Sequence, residues 1–301
     1  MSDRTWVIAN PAAGRRTTMK SLAELRATFA ARRVTQFHET TVAGDEEMLS
    51  VRALRAGAQT IVAVGGDGTC ARVAQAILAS GKPCRLTVIP AGTGNDFAKS
   101  LGVTTLSPGA IADLLDRPDA TTSIDVGLAD GHYFLNSCGF GFDASVLEAS
   151  NRVRFLRGNA VYIYSALTQL FSYRATEVTV NGVPGVKSRP MLMVTVSNGR
   201  FLGGAFKIAP HASVLDGKLD ACFFSDSNVA GRVKLFVGAM RGTHIGMPSV
   251  SAASVQHLAL TFPTSPVMEM DGELRVARSR TVELTCVPRA LAVVAAPGAI
   301  V

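Results

Sequence analysis

The stretch Thr60-Ile61-Val62-Ala63-Val64-Gly65-Gly66-Asp67-Gly68-Thr69, running on into CARVAQAIL (residues 70–78), decides the fold. TIVAV is an unbroken apolar run rich in β-branched residues, the pattern of a strand buried on both faces. The apolar spacing after Thr69 is that of a helix, expected from about Thr69 to Ala79. Glycines between the two let the backbone turn sharply and let its N–H groups approach an anion with no Cβ in the way. The helix that follows points its positive end at the same place. Phosphate is therefore the natural guest of this loop. Gly65-Gly66 alone fits a ligand-free strand-to-helix turn equally well, but such a turn requires neither Asp67 nor Thr69.

Working outward, the pattern repeats. TWVIAN (residues 5–10) is a short buried strand ending in Asn10-Pro11, and helical spacing runs from Met19 to Arg33 through Leu22, Leu25 and Phe29. VTQFHETT (34–41) reads as a strand, and Asp45 precedes a helix through Met48, Val51 and Leu54 that ends near Gly57. RLTVIP (85–90) is a fourth strand, and Ser107-Pro108 has the form of an N-cap with proline at the first helical position. Alternating strands and helices imply a parallel sheet with helices on its faces. After RLTVIP a second small-residue loop carries Thr93 and Asn95 as hydrogen-bonding groups and Asp96 as a charge, and NPAAGRR (10–16) makes a third loop after the first strand. Three such loops at the carboxyl edge of one parallel sheet mark a ligand site. The loop is neither a P-loop, lacking Gly-Lys-Ser/Thr, nor a G-x-G-x-x-G fingerprint.

The pattern changes after about Ile124. Asp130-Gly131 and Asn181-Gly182 are hairpin signals, and MLMVTVSN, KLDACFF, LALTFP and TVELTCV are further strand-like runs with few helices between them. RFLRGNAVYIYSALTQLF (154–171) and NVAGRVKLFVGAMRG (228–242) read as helices. The expected architecture is α/β plus all-β: a parallel-sheet nucleotide-binding domain over residues 1–125, a mainly antiparallel β domain over 126–290, and a tail over 291–301 free to pack back on the first domain.

Bulk composition narrows the partners. The chain of 301 residues is 48% hydrophobic and carries a formal net charge of +7. That balance suits nucleic acid, an anionic membrane surface or a polyphosphate ligand, or simply a solvated basic surface. Aromatics are only 6%, with no aromatic-and-basic interleaving of the kind that stacks bases, so nucleic acid is not an expected partner. Five scattered cysteines without a Cys-x-x-Cys pair argue for free thiols in a reducing compartment. No signal-peptide core and no apolar run of bilayer length is present, so the expected location is cytoplasmic, peripheral at the inner membrane surface.

GGDGT (65–69), with NPAAG upstream and PAGTGNDFA (90–98) downstream, resembles the diacylglycerol kinase catalytic superfamily in its small bacterial lipid kinase branch. SIDVG (123–127), NSCGFGFDASV (136–146), VSNGRFLGGAFKIAPHASVLDGKLD (196–220) and MEMDGE (268–273) follow in the order that family shows, so the resemblance covers nearly the whole chain. It implies transfer of the γ-phosphoryl group of ATP to a lipid hydroxyl with Mg2+, on a nucleotide domain and a β-sandwich-like domain with the active cleft between them. Diacylglycerol is the first acceptor, with sphingoid base, ceramide or another glycerolipid open. Asn10, Gly14, Thr40, Gly65, Gly66, Asp67, Gly68, Thr69 and Thr93 match positions that contact nucleotide, and Asn95 lies in the same loop. Asp67, Asp96 and Asp125 match acids that organise Mg2+ and its waters. Asp271 and Glu273 match the segment credited with the catalytic base. Asp216 matches a structural magnesium site completed by main-chain carbonyls, here those of Ser213 and Lys218. His211 stands where an acid is expected.

The chemistry of the residues agrees. An alcohol is a poor nucleophile at neutral pH, and a positioned carboxylate takes its proton as the phosphoryl group arrives. Each acid taken singly also fits a turn, and Asp271-Gly272 fits a plain hairpin. Arg152, Arg154 and Arg157 ahead of Tyr162, Leu167, Leu170 and Phe171 suit an anionic membrane interface or, equally, a core-facing helix with a solvated basic end. Arg15 and Arg16 suit lipid head groups or the nucleotide. The expected partner is a lipid substrate at an anionic membrane surface, and a homodimer is compatible with the sequence. Two alternatives stay open: a NAD kinase, which also carries a GGDGT loop but in which an Asn-Glu motif replaces GTGNDFA, and a non-catalytic nucleotide- or lipid-binding regulator.

Overall fold

Residues 61–64 are fully shielded from solvent at every position, so TIVAV has helices against both faces rather than one. The computed structural model describes residues 4–13, 18–150, 152–153, 159–186, 188–298 and 300. Two compact units divide the chain, the first made of residues 1–125 and 289–301 and the second of residues 126–288.

In chain order the first unit contains β1 (Thr5–Ala9), α1 (Thr18–Ala31), β2 (Gln36–Glu39), α2 (Asp45–Arg55), β3 (Thr60–Gly65), α3 (Asp67–Ser80), β4 (Arg85–Pro90), α4 (Asp96–Ser100) and α5 (Pro108–Leu114), and then enters β5 (Thr121–Ala129). Its sheet is parallel in the order β4-β3-β1-β2. The register places Gly65 opposite Pro90 and Val64 opposite Ala9, so three strands end at one level and release their loops at one edge. Helix α2 packs on α3 and α1 on α5. Ser107 Oγ accepts the Ala110 N–H with Pro108 in the first turn, the expected cap.

The second unit continues with β6 (His132–Phe134), β7 (Ser137–Gly141), α6 (Phe142–Ser150), α7 (Asn159–Ser172), β8 (Thr176–Asn181), β9 (Arg189–Ser197), β10 (Leu219–Ser225), α8 (Val229–Arg241), β11 (Val250–Val255), β12 (His257–Thr261), β13 (Val267–Met270), β14 (Glu273–Val276) and β15 (Thr281–Val294). One antiparallel sheet runs β14-β13-β7-β9-β10-β11, and a second pairs β8, β12 and the first half of β15. Alternation along β10 sets the layers. Ala221 and Phe223 point into the core between the sheets, with Phe140, Val194, Leu258, Leu260, Met268 and Leu284. Cys222 and Phe224 point the other way, into a second core under α6, α7 and α8 with Val146, Leu170 and Leu235. The last residues of β15 belong to the first unit: Val293 bridges Leu86 of β4, and the Ala295 and Ala296 N–H groups donate to Ala120 and Leu101 carbonyls. The apolar ALAVVAA segment is thus a buried strand end.

Several expectations shift. Helix α3 begins at Asp67, two residues before Thr69, because Gly66 takes the extended N-cap conformation and Asp67 already lies in the first turn. Asn181-Gly182 does not form a two-residue hairpin. β8 pairs with β9 only over Thr176–Val178 and with β12 over Thr179–Asn181, passing from one sheet to the other, and β9 starts only at Arg189. Helix α6 follows β7 directly, where no helix is expected from the sequence. The five cysteines are buried free thiols. Among the described residues no helix is long and apolar enough to cross a membrane. Truncating Phe223→Ala opens the space between the two sheets and is expected to cost about 3–5 kcal/mol, read as a fall in the urea unfolding midpoint.

Candidate active site

The glycine loop is shaped by close approach, not by left-handed backbone: none of Gly65, Gly66 or Gly68 has positive φ. A Cβ on Gly92 would lie 2.4 Å from the Cα of Gly66, and one on Gly66 would lie 3.1 Å from the Cα of Gly92. The loops after β3 and β4 therefore touch backbone to backbone, and no side-chain movement relieves an added carbon there. A Cβ on Gly65 would lie 2.5 Å from the Cβ of Thr69, because the first turn of α3 folds back over the strand end. Asn95 closes the second loop on itself: Gly92 N–H donates to its Oδ1 and its Nδ2 donates to the Gly92 carbonyl, both at 2.9 Å, with Asn95 at φ 51°. The Asn95 side chain is thus committed to the loop's shape. Thr93 is exposed at its tip, Thr40 is buried after β2, and Gly14 lies outside the described residues.

Beneath this rim sits a buried polar cluster. Asn10 Nδ2 donates to Glu46 Oε1 at 3.0 Å and to Thr69 Oγ1 at 3.1 Å, Thr69 Oγ1 donates to Glu46 Oε1, and Arg72 reaches Glu46 Oε2 at 3.3 Å. Asn10 Oδ1 accepts the Ala12 N–H. One carboxylate, 2% exposed, thereby ties the loop after β1 to the first turn of α3. Sequence reasoning missed Glu46. Within Asp45-Glu46-Glu47 it reads as one of three acids complementing a helix N-terminus. Only the packing of α2 on α3 turns it inward. Gly44 is the N-cap and has no side-chain cap bond; Asp45 instead accepts the Val42 and Thr41 N–H groups of the preceding loop, and these bonds hold its carboxyl below the usual range.

The acids of the two loops meet. Asp67 Oδ1 accepts the Phe97 N–H at 3.1 Å, joining the start of α3 to the start of α4. Burial, and then the nearby Asp96 charge, push the Asp67 carboxyl up to about 6. Buried Asp96 pairs with Lys99 at 2.7 Å. Asp125, fully buried in β5, accepts the Arg289 N–H at 2.8 Å.

In the second unit, Asp271 sits at φ 48° in the β13–β14 turn, and its carboxylate accepts three backbone N–H groups, from Leu135 (2.6 Å), Asn136 (2.8 Å) and Ser137 (3.2 Å). It anchors this turn to the segment between β6 and β7. Glu273, half-buried at the start of β14, pairs with Arg275 at 3.2 Å. The Gly272 N–H donates to Glu269 Oε1. Ser213, Asp216 and Lys218 lie in the loop before β10, where exposed Asp216 accepts the Lys218 N–H at 3.0 Å. Asp220, not singled out by the sequence reading, lies near it: burial and then the Asp216 charge raise its carboxyl above the usual range. Among the described residues no three His, Cys, Asp or Glu side chains converge as a ready-made metal cage.

Gly92→Ala is expected to force the two loops apart and cost about 1–3 kcal/mol in the unfolding midpoint. Gly68→Ala, with nothing within 4 Å of the new Cβ and a helical backbone, is expected to be neutral or to stabilise by about 0.5–1 kcal/mol.

Known proteins show the same two parts. The diacylglycerol kinase catalytic domain family matches residues 4–129, and the YegS C-terminal NAD kinase beta sandwich-like domain family matches residues 136–295. The chain is 28% identical to the diacylglycerol kinase of Bacillus subtilis (strain 168) over 277 residues, covering 90% of this chain and 89% of that one. It is 34% identical over 232 residues to a Pseudomonas putida protein named probable lipid kinase YegS-like, covering 76% and 77% of the two chains. The crystal structure of a diacylglycerol kinase from Bacillus anthracis str. Sterne superposes with a TM-score of 0.74 across 99% of this chain and 98% of that one, at 20% identity, a likeness of fold. Because these matches run through both units in the same order, the chain belongs to the diacylglycerol kinase catalytic domain family of lipid kinases, in the branch carrying the YegS C-terminal domain.

Proposed function

We propose that this protein is an ATP- and Mg2+-dependent lipid kinase that phosphorylates a lipid hydroxyl, with diacylglycerol the first acceptor. The observation that carries the proposal is the meeting of the β3 and β4 loops, which sets two carboxylates, Asp67 and Asp96, at the starts of α3 and α4. Backbone N–H groups of residues 65–69 at the end of the parallel sheet suit a triphosphate, and Thr93 and Thr40 are assigned to nucleotide contact beside them. Asn10, Glu46 and Asn95 hold the loops in shape.

Mg2+ takes one or two carboxylates and completes its shell with water and phosphate oxygens. Asp67, half-buried, and Asp96, buried and paired with Lys99, fit that requirement. They would hold the ion, with Asp125 ordering its waters, and the ion would supply neutralisation of charge on the phosphates. Asp216 and Asp220 offer a second carboxylate pair for a structural cation, with Ser213 and Lys218 contributing main-chain carbonyls.

In the transfer, the acceptor hydroxyl oxygen bonds to the γ-phosphorus, its proton passes to a carboxylate, and the bond to the β-phosphate oxygen breaks to leave ADP. Glu273 is assigned as the proton acceptor. Asp271, with three backbone amides on its carboxylate, is assigned to holding the turn. Purified protein with labelled ATP and a panel of diacylglycerol, sphingoid base, ceramide and NAD is expected to yield a phosphorylated lipid. Label in NAD alone, or in nothing, overturns the proposal. Glu273→Gln is expected to lower kcat by about 10²–10⁴-fold with KM for ATP unchanged.

A lipid acceptor requires a membrane-facing surface. Helix α7 buries Ser165, Ala166 and Leu170 and exposes Tyr164, Leu167 and Phe171, the last at 64%. Helix α8 exposes Val229, Val233 and Val237 beside Lys234 and Arg241. Neither helix contains an acidic residue, and Arg232 joins them by donating to the Leu170 and Tyr173 carbonyls. An apolar face that also presents Lys234 and Arg241, with the nearby Asp226 taken up by Arg232, suits an anionic bilayer. The double variant Val233→Asp/Val237→Asp is expected to lose sedimentation with phosphatidylglycerol vesicles while keeping its unfolding midpoint. Unchanged sedimentation removes α8 from this role.

A further inference from the structure

Helix α2 presents two faces with the same helical spacing. Glu46, Leu49, Ser50, Ala53 and Leu54 are buried on the side that packs against α3 and β1. On the other side Gly44, Glu47, Met48, Val51, Arg52 and Arg55 repeat the i, i+3, i+4, i+7 rhythm and line a groove. Met48 is 61% exposed and Val51 36%. A solvated helix face needs neither side chain, whereas a helix-packing face needs both. Charge runs along the stripe in one direction: Asp45 and Glu47 stand in the first turn, Arg52 and Arg55 in the last. That polarity complements the helix's own dipole and by itself names no partner. Two of the charges are nevertheless unspent. Among the described residues the Glu47 and Arg55 side chains form no hydrogen bond or ion pair, while Arg52 lies over the Trp6 ring, 5.9 Å from its centroid.

We propose that this face binds the same face of a second copy of the chain, with the two α2 helices antiparallel across a two-fold axis. A two-fold interface has to complement itself. Antiparallel pairing does so here, because it brings the acidic start of one helix to the basic end of the other, whereas parallel pairing sets like charges together. Centring the axis on Val51 places Val51 against its own symmetry mate with Met48 beside it. The same register levels Glu47 with Arg55 of the second copy, since the two residues lie four positions to either side of Val51. The apolar centre is thereby closed at both ends by opposite charges. An anionic bilayer is a poor occupant, because Asp45 and Glu47 would meet its phosphates; α7 and α8 carry no acid.

The test is sedimentation equilibrium of the full chain, where the wild type is expected at twice the chain mass. Glu47→Arg sets arginine against Arg55, and Arg55→Glu sets glutamate against Glu47, so each alone is expected to raise the dissociation constant by about 10-fold or more. Mixing the two single variants restores opposite charges at both contacts, and so does the double variant Glu47→Arg/Arg55→Glu; both are expected to recover the wild-type dimer. Recovery in the mixture also shows that the single variants are folded. Met48→Asp/Val51→Asp is expected to be monomeric with its unfolding midpoint unchanged, because both side chains are exposed, and to sediment with phosphatidylglycerol vesicles as the wild type does. A monomeric wild type overturns the inference, as does a dimer indifferent to the single reversals or a mixture that stays apart. Loss of vesicle binding in Met48→Asp/Val51→Asp gives this face to a membrane and overturns it as well. None of these readouts depends on phosphorylation, so the inference stands or falls separately from the kinase reading.

Discussion

Gly66 and Gly92 press together Cα against Cα, and the first unit's site depends on that contact. A parallel sheet releases adjacent loops about one strand spacing apart, too far for ordinary residues to share one small anion. Removing both side chains lets the backbones close that gap, so the starts of α3 and α4 converge and the N–H of Phe97 can reach Asp67. The electrostatic consequence is immediate. Two carboxylates are brought into a buried place with one lysine, and the Asp67 proton is held more tightly than in water. A cation with open coordination positions relieves that charge, which is why the same contact that shapes the loop also suits a phosphoryl-transfer site.

The second unit solves a different problem with the same means. Its β13–β14 turn carries three acids: Glu269 and Asp271 accept backbone N–H groups, and Glu273 pairs with Arg275. Asp271 takes three amides, Glu269 takes the Gly272 amide and faces Asp143, and Gly139 leaves the space. Glycine again permits the approach, here of a carboxyl to a strand. The turn is therefore pinned by backbone hydrogen bonds at both Glu269 and Asp271.

Order in the layers follows from period-two alternation. Along β10, Phe223 faces the companion sheet and Phe224 the helices, so a single strand builds two cores. β8 changes sheets between Val178 and Thr179, which the Asn181-Gly182 signal did not announce because pairing partners lie far away in sequence.

Local chemistry by itself determined much of this protein. TIVAV and RLTVIP are strands because no amphipathic alternative exists for continuous β-branched runs, Ser107-Pro108 starts a helix because its cap and fixed φ are local properties, and the ordered GGDGT, GTGNDFA and MDGE motifs marked which loops hold the acids. Tertiary structure alone decided what each polar side chain does. Glu46 looked like one of three helix-start acids and became the buried tie between Asn10 and Thr69, the Asn95 side chain turns back to lock Gly92, and Asp271 accepts amides more than 130 residues away. A hydrogen bond between distant segments leaves no trace in either segment's own periodicity, since it exists only once the strands are in register.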